Sequence, residues 1–262
     1  MNILIFGDVV GRAGREAVKE FLPRFRATTP VDFAIANGEN LAHGKGMTSE
    51  TVNELFAAGV HLLTNGNHAW DVKQALEIVQ KDSRVLRPAN FPPGMPGHGS
   101  TTITVGIATV AVLNIVGRVF FRESYDDPFR AAEQWLSTLP RVTPLITLVD
   151  FHAEATSEKR ALSFFLDGKV TAVWGTHTHI PTADEQLLPQ GTAYLTDVGM
   201  CGSLHSILGF QVPPLIERFR TQLPISFTVE ENRPWEVNAV LLTVDERTGK
   251  TTDIRRIREV LS

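Results

Sequence analysis

Cysteine is almost missing from this sequence: Cys201 is the only one among 262 residues. A lone thiol closes no intramolecular disulfide, so packing has to hold the fold, and a reducing compartment, the cytoplasm, is the natural setting. Long apolar runs are missing too. No stretch approaches the ~20 residues a membrane-spanning helix needs, and the apolar start Asn2–Phe6 meets Gly7-Asp8 too early for a secretory leader. The sequence therefore predicts no membrane partner. Positive charge is in deficit, with 25 Lys and Arg against 29 Asp and Glu and a formal net charge of -4. That is the wrong sign for a surface that neutralises the many phosphates of long nucleic acid. Any phosphate is expected at a local site. Repeats, low-complexity tracts and linkers are absent as well, which predicts a single domain over residues 1–262.

What is present is alternation. Short apolar runs interleave with amphipathic stretches, the pattern of buried strands covered by helices, and this predicts an α/β fold. Strands are read at Ile3–Phe6, Phe33–Ala36, His61–Thr64, Leu145–Val149 and Val170–Trp174, and a hairpin at Thr101–Val105 and Ile107–Asn114 about Gly106. Helices are read at Arg15–Arg26, with Pro23 weakening its end, at Thr48–Ala58 with Thr48 as cap and Gly59 as stop, in the stretch running from Asn65–Asp71 to Gln80, and at Ser157–Leu166. The β-branched C-terminal stretch from Ser226 to Arg258 reads as terminal strands of a second sheet.

Residues with metal-ligand chemistry fall where the strands end. Asp8 closes the first strand, Glu39-Asn40 follow the second, Asn67-His68 the third, His152 the Leu145 strand, and His177 and His179 the Val170 strand. Ligands of open α/β sheets bind at the carboxyl ends of strands, so five strand ends offer oxygen and nitrogen donors to one crevice. Each alone has a plain structural alternative, such as a turn or helix cap for Asp8 or a left-handed turn for Asn67. The pair in Thr176-His177-Thr178-His179, read as an extended segment, could serve two metals or straddle one.

The order Gly7-Asp8, Gly38-Glu39-Asn40, Gly66-Asn67-His68, His152 and Gly175-Thr176-His177-Thr178-His179 resembles the calcineurin-type metallophosphoesterases. The longer runs GDVVGRAGR, NGENLAHGKGMT, GNHAWD, RPANFP, DFHAEATSEK, GTHTHIPTAD and TDVGMCG are similar to the YmdB-like branch of that superfamily. The resemblance implies a four-layer α/β/β/α sandwich of two mixed sheets, a dinuclear iron or manganese type centre, and phosphodiesterase activity on cyclic nucleotides. The chain departs from the wider superfamily at Val10, where a histidine is usual, and at Glu39, where an aspartate is usual; the YmdB-like branch shares both changes. Carried over residue by residue, the resemblance implies Asp8, Glu39, Asn40 and His179 around one metal and Glu39, Asn67, His152 and His177 around the other, with Glu39 bridging. His68 is then left as the proton donor while a metal-activated hydroxide attacks phosphorus. Imidazole, carboxylate and amide donors without thiolate suit Fe, Mn or Zn. Two divalent ions against Asp8, Glu39 and a hydroxide leave a charge of about +1, suited to a small phosphodiester or nucleotide monoanion.

Other polar residues carry weaker readings. His43 and His205 could approach substrate, Glu154 could hydrogen bond to a ligand imidazole, and Asp197 reads as a turn residue. Phe120-Phe121, between Arg118 and Arg122, could form a lid or a contact with a second copy in a homo-oligomer. No group is evident to orient His68, because Ala69 and Trp70 separate it from Asp71. Two other functions fit the same residues: a phosphomonoesterase, and a nucleotide-sensing regulatory protein whose turnover is incidental.

Overall fold

The computed structural model describes residues 1–262. The first sheet opens with β1 (Asn2–Val9), β2 (Phe33–Asn37) and β3 (Leu62–Thr64), linked by α1 (Gly11–Thr28) and α2 (Ser49–Ala58) and followed by α3 (Gln74–Lys81). The second comprises β4 (Ser100–Val105), β5 (Ala108–Val116), β6 (Leu145–His152), β7 (Ala172–Thr176), β8 (Gln186–Leu187) and β9 (Ala193–Leu195). Helices α4 (Pro128–Thr138) and α5 (Thr156–Leu166) make its crossovers. The chain then returns to the first sheet through β10 (Met200–Ser203), α6 (Val212–Thr221), β11 (Trp235–Val244) and β12 (Thr251–Leu261). The strand orders are β12-β11-β10-β1-β2-β3 and β4-β5-β6-β7-β9-β8. Both sheets are mixed: the first is parallel from β10 to β3 and antiparallel through β11 and β12, and the second has a parallel centre with antiparallel edges.

Residue alternation explains the layering. In β1, Ile3 and Ile5 face a core shared with Val110, Val112, Leu148 and Trp174 of the second sheet, while Leu4 and Phe6 face Ala17, Val18 and Phe21 of α1. A strand buried on both faces reads as a continuous apolar run, as Ile3–Phe6 does. On the far side, Leu113, Val149 and Phe151 pack against Ala132 and Trp135 of α4 and Leu162 of α5. Helices, sheet, sheet and helices thus form the four-layer α/β/β/α sandwich.

Three local readings need correction. Helix α1 runs through Pro23 to Thr28; the proline lies on the exposed face, where the carbonyl deprived of its donor can reach water. The terminal strands β11 and β12 join the first sheet, not the second, because β11 pairs antiparallel with β1 from Asn2 to Phe6. The helix after the Asn67 loop begins only at Gln74. Thr48 caps α2 with a reciprocal bond to Thr51, and Gly59 ends it in a left-handed conformation at φ 102°. No helix is long and apolar enough to cross a membrane.

Candidate metal centre

The parallel strands bring their carboxyl ends to one crevice. In register, Asp8 lies beside Asn37, Asn37 beside Thr64, and His152 beside Thr176. A bulge between Phe6 and Asp8 re-aims Asp8, and it needs glycine at position 7, since a Cβ there would fall 1.8 Å from the Gly199 carbonyl oxygen. Gly66 is required for a similar reason. A Cβ there would sit 2.1 Å from the His152 ring and 2.5 Å from Glu39 Oε2, so its absence lets the Asn67 loop approach the crevice.

Four of the residues read from the sequence meet around one atom. His152 Nε2 lies 3.0 Å from Glu39 Oε1, 3.1 Å from Asn67 Oδ1 and 3.0 Å from His177 Nδ1. Glu39, His152 and His177 form a cluster that could hold a metal ion. Ligands at right angles on a metal with bonds of about 2.1 Å would lie about 3.0 Å apart, which is the spacing seen. Asp8 and His179 form a looser pair, with His179 Nε2 4.0 Å from Asp8 Oδ1, and Asn40 lines the same cavity as Glu39 and His179. Asp8 Oδ1 and Asn40 Oδ1 are buried without a hydrogen-bond partner. Two stranded acceptors of this kind cost about 1–3 kcal/mol each unless a cation meets them.

Each histidine has its tautomer set by its surroundings. Thr64 and Thr176 donate their hydroxyls to Asp150, so the Thr176 oxygen, 3.0 Å from His152 Nδ1, is left to accept the Nδ1 proton, and Nε2 is the nitrogen turned to Glu39 and the crevice. The Leu208 carbonyl can only accept, so His179 Nδ1 donates to it at 3.1 Å and Nε2 is free. His177 Nε2 donates to Glu154 at 2.9 Å, leaving Nδ1 toward His152. Metal-binding imidazoles are oriented in this way. The Glu39, His152 and His177 donors therefore fit a divalent cation.

The two histidines of the Thr-His-Thr-His segment are not on an extended strand. β7 ends at Thr176, and His177 and His179 take left-handed φ values of 100° and 64°. Non-glycine residues rarely adopt that region, and such strain concentrates at functional sites. Asp8 Oδ2 accepts the His177 N–H at 3.0 Å, and Asp197 accepts the N–H of Thr178 between the histidines at 3.1 Å.

Burial sets the electrostatics. It alone would lift the Glu39 carboxyl, but the charge of His152 and its hydrogen bond outweigh it and hold Glu39 at about 2. Burial lifts Asp8, with His179 and His152 opposing. It pushes Asp150 up to about 7 against the two threonine hydroxyls, and pulls His177 down to about 3 with the help of His152's charge. His152 is raised: burial would lower it, but Glu39 prevails.

His68 stands beside this cluster. Its backbone N–H donates to Glu39 Oε2 at 2.9 Å, and its Nδ1 is 2.9 Å from Asp71 Oδ2. Asp71 is thus the missing orienting group: a turn folds it back across Ala69 and Trp70, with the Asp71 N–H donating to the His68 carbonyl. Phe121 packs its ring 4.9 Å from that of His177 and Phe120 is exposed. Neither His43 nor His205 borders the crevice; His43 lines a separate cavity with Arg12 and Arg15. Lys159, not singled out from the sequence, pairs with Asp197 at 2.6 Å beneath the histidine segment. A lysine shortly after Glu-Ala-Thr reads as an ordinary helix-surface residue, and only the fold shows it buried.

The YmdB-like protein family matches residues 4–257, nearly the whole chain. The chain belongs to that family. A 2',3'-cyclic-nucleotide 2'-phosphodiesterase of Bacillus subtilis (strain 168) is 45% identical over 257 residues, 98% of this chain and 96% of the relative. Among solved structures, a hypothetical protein from Thermus thermophilus superposes on this YmdB-like chain with a TM-score of 0.93 at 40% identity, covering all of both chains. A novel phosphatase of Mycoplasma pneumoniae gives 0.92 at 34%, covering 99% of this chain and 93% of that one.

Proposed function

We propose that the protein is a metal-dependent phosphodiesterase that hydrolyses nucleoside 2',3'-cyclic phosphates and related small diesters at the P–O2' bond. The observation that carries the reading is the meeting of Glu39, Asn67 and His177 about His152 Nε2, each at 3.0–3.1 Å. The name and 45% identity of the Bacillus subtilis relative support the substrate class. Asp8, Glu39, Asn40 and His179 would hold one divalent ion and Glu39, Asn67, His152 and His177 a second, with Glu39 shared. Iron or manganese suits these donors best, with zinc also compatible. When bound, the ions neutralise phosphate charge and make water acidic enough to furnish a nucleophile near neutral pH.

The chain's own groups do the rest. Thr176, Leu208 and Glu154 occupy one nitrogen of each histidine and leave the other turned toward the donor crevice. His68, held at Nδ1 by Asp71, presents Nε2 to the cavity over the crevice and gives its proton to the departing oxygen. The single buried thiol and the lack of a membrane-spanning helix support a cytoplasmic enzyme.

The test is turnover of adenosine 2',3'-cyclic phosphate against 3'-AMP by protein reconstituted with Mn or Fe, beside Glu39→Ala with its metal content measured. We expect the diester to be preferred and Glu39→Ala to lose both ions and activity. Faster monoester turnover, or two ions and full activity in Glu39→Ala, would refute the reading.

A further inference from the structure

A cavity of about 320 Å³ opens over the donor crevice, within the range of roughly 300–1,000 Å³ that small-molecule sites occupy. Its two sides differ in chemistry. Glu39, Asn40, His68, His177 and His179 line one; the other is built from aliphatic and aromatic side chains around Phe210, Phe219 and Phe227, which carry no hydrogen-bonding group. Resting on the phosphodiesterase reading, we propose that this apolar side is a nucleobase subsite. Phe219 stacks the base of a nucleotide whose phosphate lies against the donor residues.

The wall is fixed to the crevice and not merely near it. Leu208, itself left-handed at φ 54°, accepts the Nδ1 proton of His179, so the segment that starts the apolar side is bonded directly to a donor residue. Phe210 is committed to packing: a Cβ on Gly44 would lie 3.0 Å from its ring, and its centroid is 6.0 Å from that of Phe227. Phe219 is the uncommitted ring. It projects from α6, where Leu215 alone is buried, and 77% of its surface is open to water. An aromatic face of that size is unfavourable in water unless something covers it during function.

A cyclic nucleotide matches both sides, with an anionic diester at one end and a π-face at the other. The Phe210, Phe219 and Phe227 rings cannot read base edges, so their contribution to recognition is stacking, which tolerates any base. The subsite therefore separates nucleotides from base-free diesters and discriminates weakly among the four bases.

The test compares adenosine 2',3'-cyclic phosphate with methyl riboside 2',3'-cyclic phosphate, which has a methoxy group in place of the base, on the metal-loaded wild type and on Phe219→Ala. The exposure of Phe219 means its removal leaves the core intact. The wild type should favour the nucleotide in kcat/KM by about 5- to 150-fold, the factor that about 1–3 kcal/mol of base–aromatic stacking represents. Phe219→Ala should lose most of that preference, through a much larger fall in kcat/KM on the nucleotide than on the methyl riboside. The four nucleoside cyclic phosphates should agree within about tenfold. Equal wild-type kcat/KM on both substrates would overturn the subsite and leave the diesterase reading standing. Hydrolysis of neither would overturn the diesterase reading, and calorimetric binding of 3'-AMP then decides the subsite, supported by weaker binding to Phe219→Ala and overturned by equal affinity. Equal losses on both substrates, with a smaller sedimenting mass, would make the wall a contact between copies and overturn the proposal.

Discussion

Lys159 and Asp197 form an ion pair 2.6 Å long with each side chain only 1% exposed. Asp197 spends its remaining capacity on the backbone, accepting N–H groups of Thr178 at 3.1 Å and Gly199 at 2.8 Å. The pair thus joins α5 to the histidine segment and to the turn that passes Gly7. Lys159→Met leaves a buried carboxylate without its cation, and breaking such a pair costs about 3–5 kcal/mol. For a chain this long each kcal/mol moves the midpoint by roughly 2–4 °C, so Tm by calorimetry should fall by roughly 6–20 °C. An unchanged Tm would show that water already reaches the pair.

The chain of bonds Asp150–Thr176–His152 should control metal affinity without touching a metal. Thr176→Val keeps the shape and removes the oxygen that accepts from His152 Nδ1. Loss of such a supporting partner typically weakens binding 10–100-fold. Competition with a chelator should register a loss on that scale, together with a fall in Tm of about 2–12 °C because Asp150 is left as a buried acceptor without one of its donors; identical affinities would mean that His152 needs no support from Thr176.

His68 should matter most when the leaving oxygen is a poor one. His68→Ala should retain its metals and lose about 10²–10⁴-fold on alkyl diesters, less on an activated aryl diester. Asp71→Asn, which keeps a partner 2.9 Å from Nδ1 but removes its charge, should fall between wild type and His68→Ala. Equal losses on both ester types would remove His68 from the proton-donor role.

Cys201 gives a pH effect of defined sign. Burial pushes its thiol up to about 12 from the ordinary 9.0. Between those values the unfolded chain has released the proton that the folded chain retains, so this contribution destabilises the fold increasingly as pH rises from about 9 toward 12 and is absent below. Urea midpoints should fall over that range less steeply for Cys201→Ala than for the parent. The native thiol should also resist disulfide reagents at pH 8 and react at once in denaturant.

Much of this was legible because it is local. Strand ends carry the donors, and the runs that end in Asp8, Asn40, His68, His152 and His179 announce both strand and donor in a few residues. Thr48 and Gly59 likewise mark α2 by chemistry that acts within one turn. What stayed hidden depends on distance along the chain. The pairing of β11 with β1 joins residues more than two hundred positions apart and leaves no periodic trace. The backbone twist at His177 and His179 is imposed by Asp8 and Asp197 from elsewhere. Helix α4 was within reach, since Asp127 caps it by accepting from Phe129 and Arg130 and Pro128 occupies its first turn.

The place of β1 in its sheet has a consequence for how the protein is made. Of the strands in the two sheets it is made first, yet its neighbours on one side are β11 at its start and β10 at its end, about two hundred or more positions later. Through most of translation the strand carrying Asp8 therefore shows an open, apolar edge that later residues alone can cover. Such an edge is a template for pairing with other nascent chains. A polypeptide cut short before Trp235 never acquires the strand that covers Asn2–Phe6. Premature termination should thus yield insoluble product rather than a shortened enzyme, since the strand's edge stays uncovered until β11 has been made.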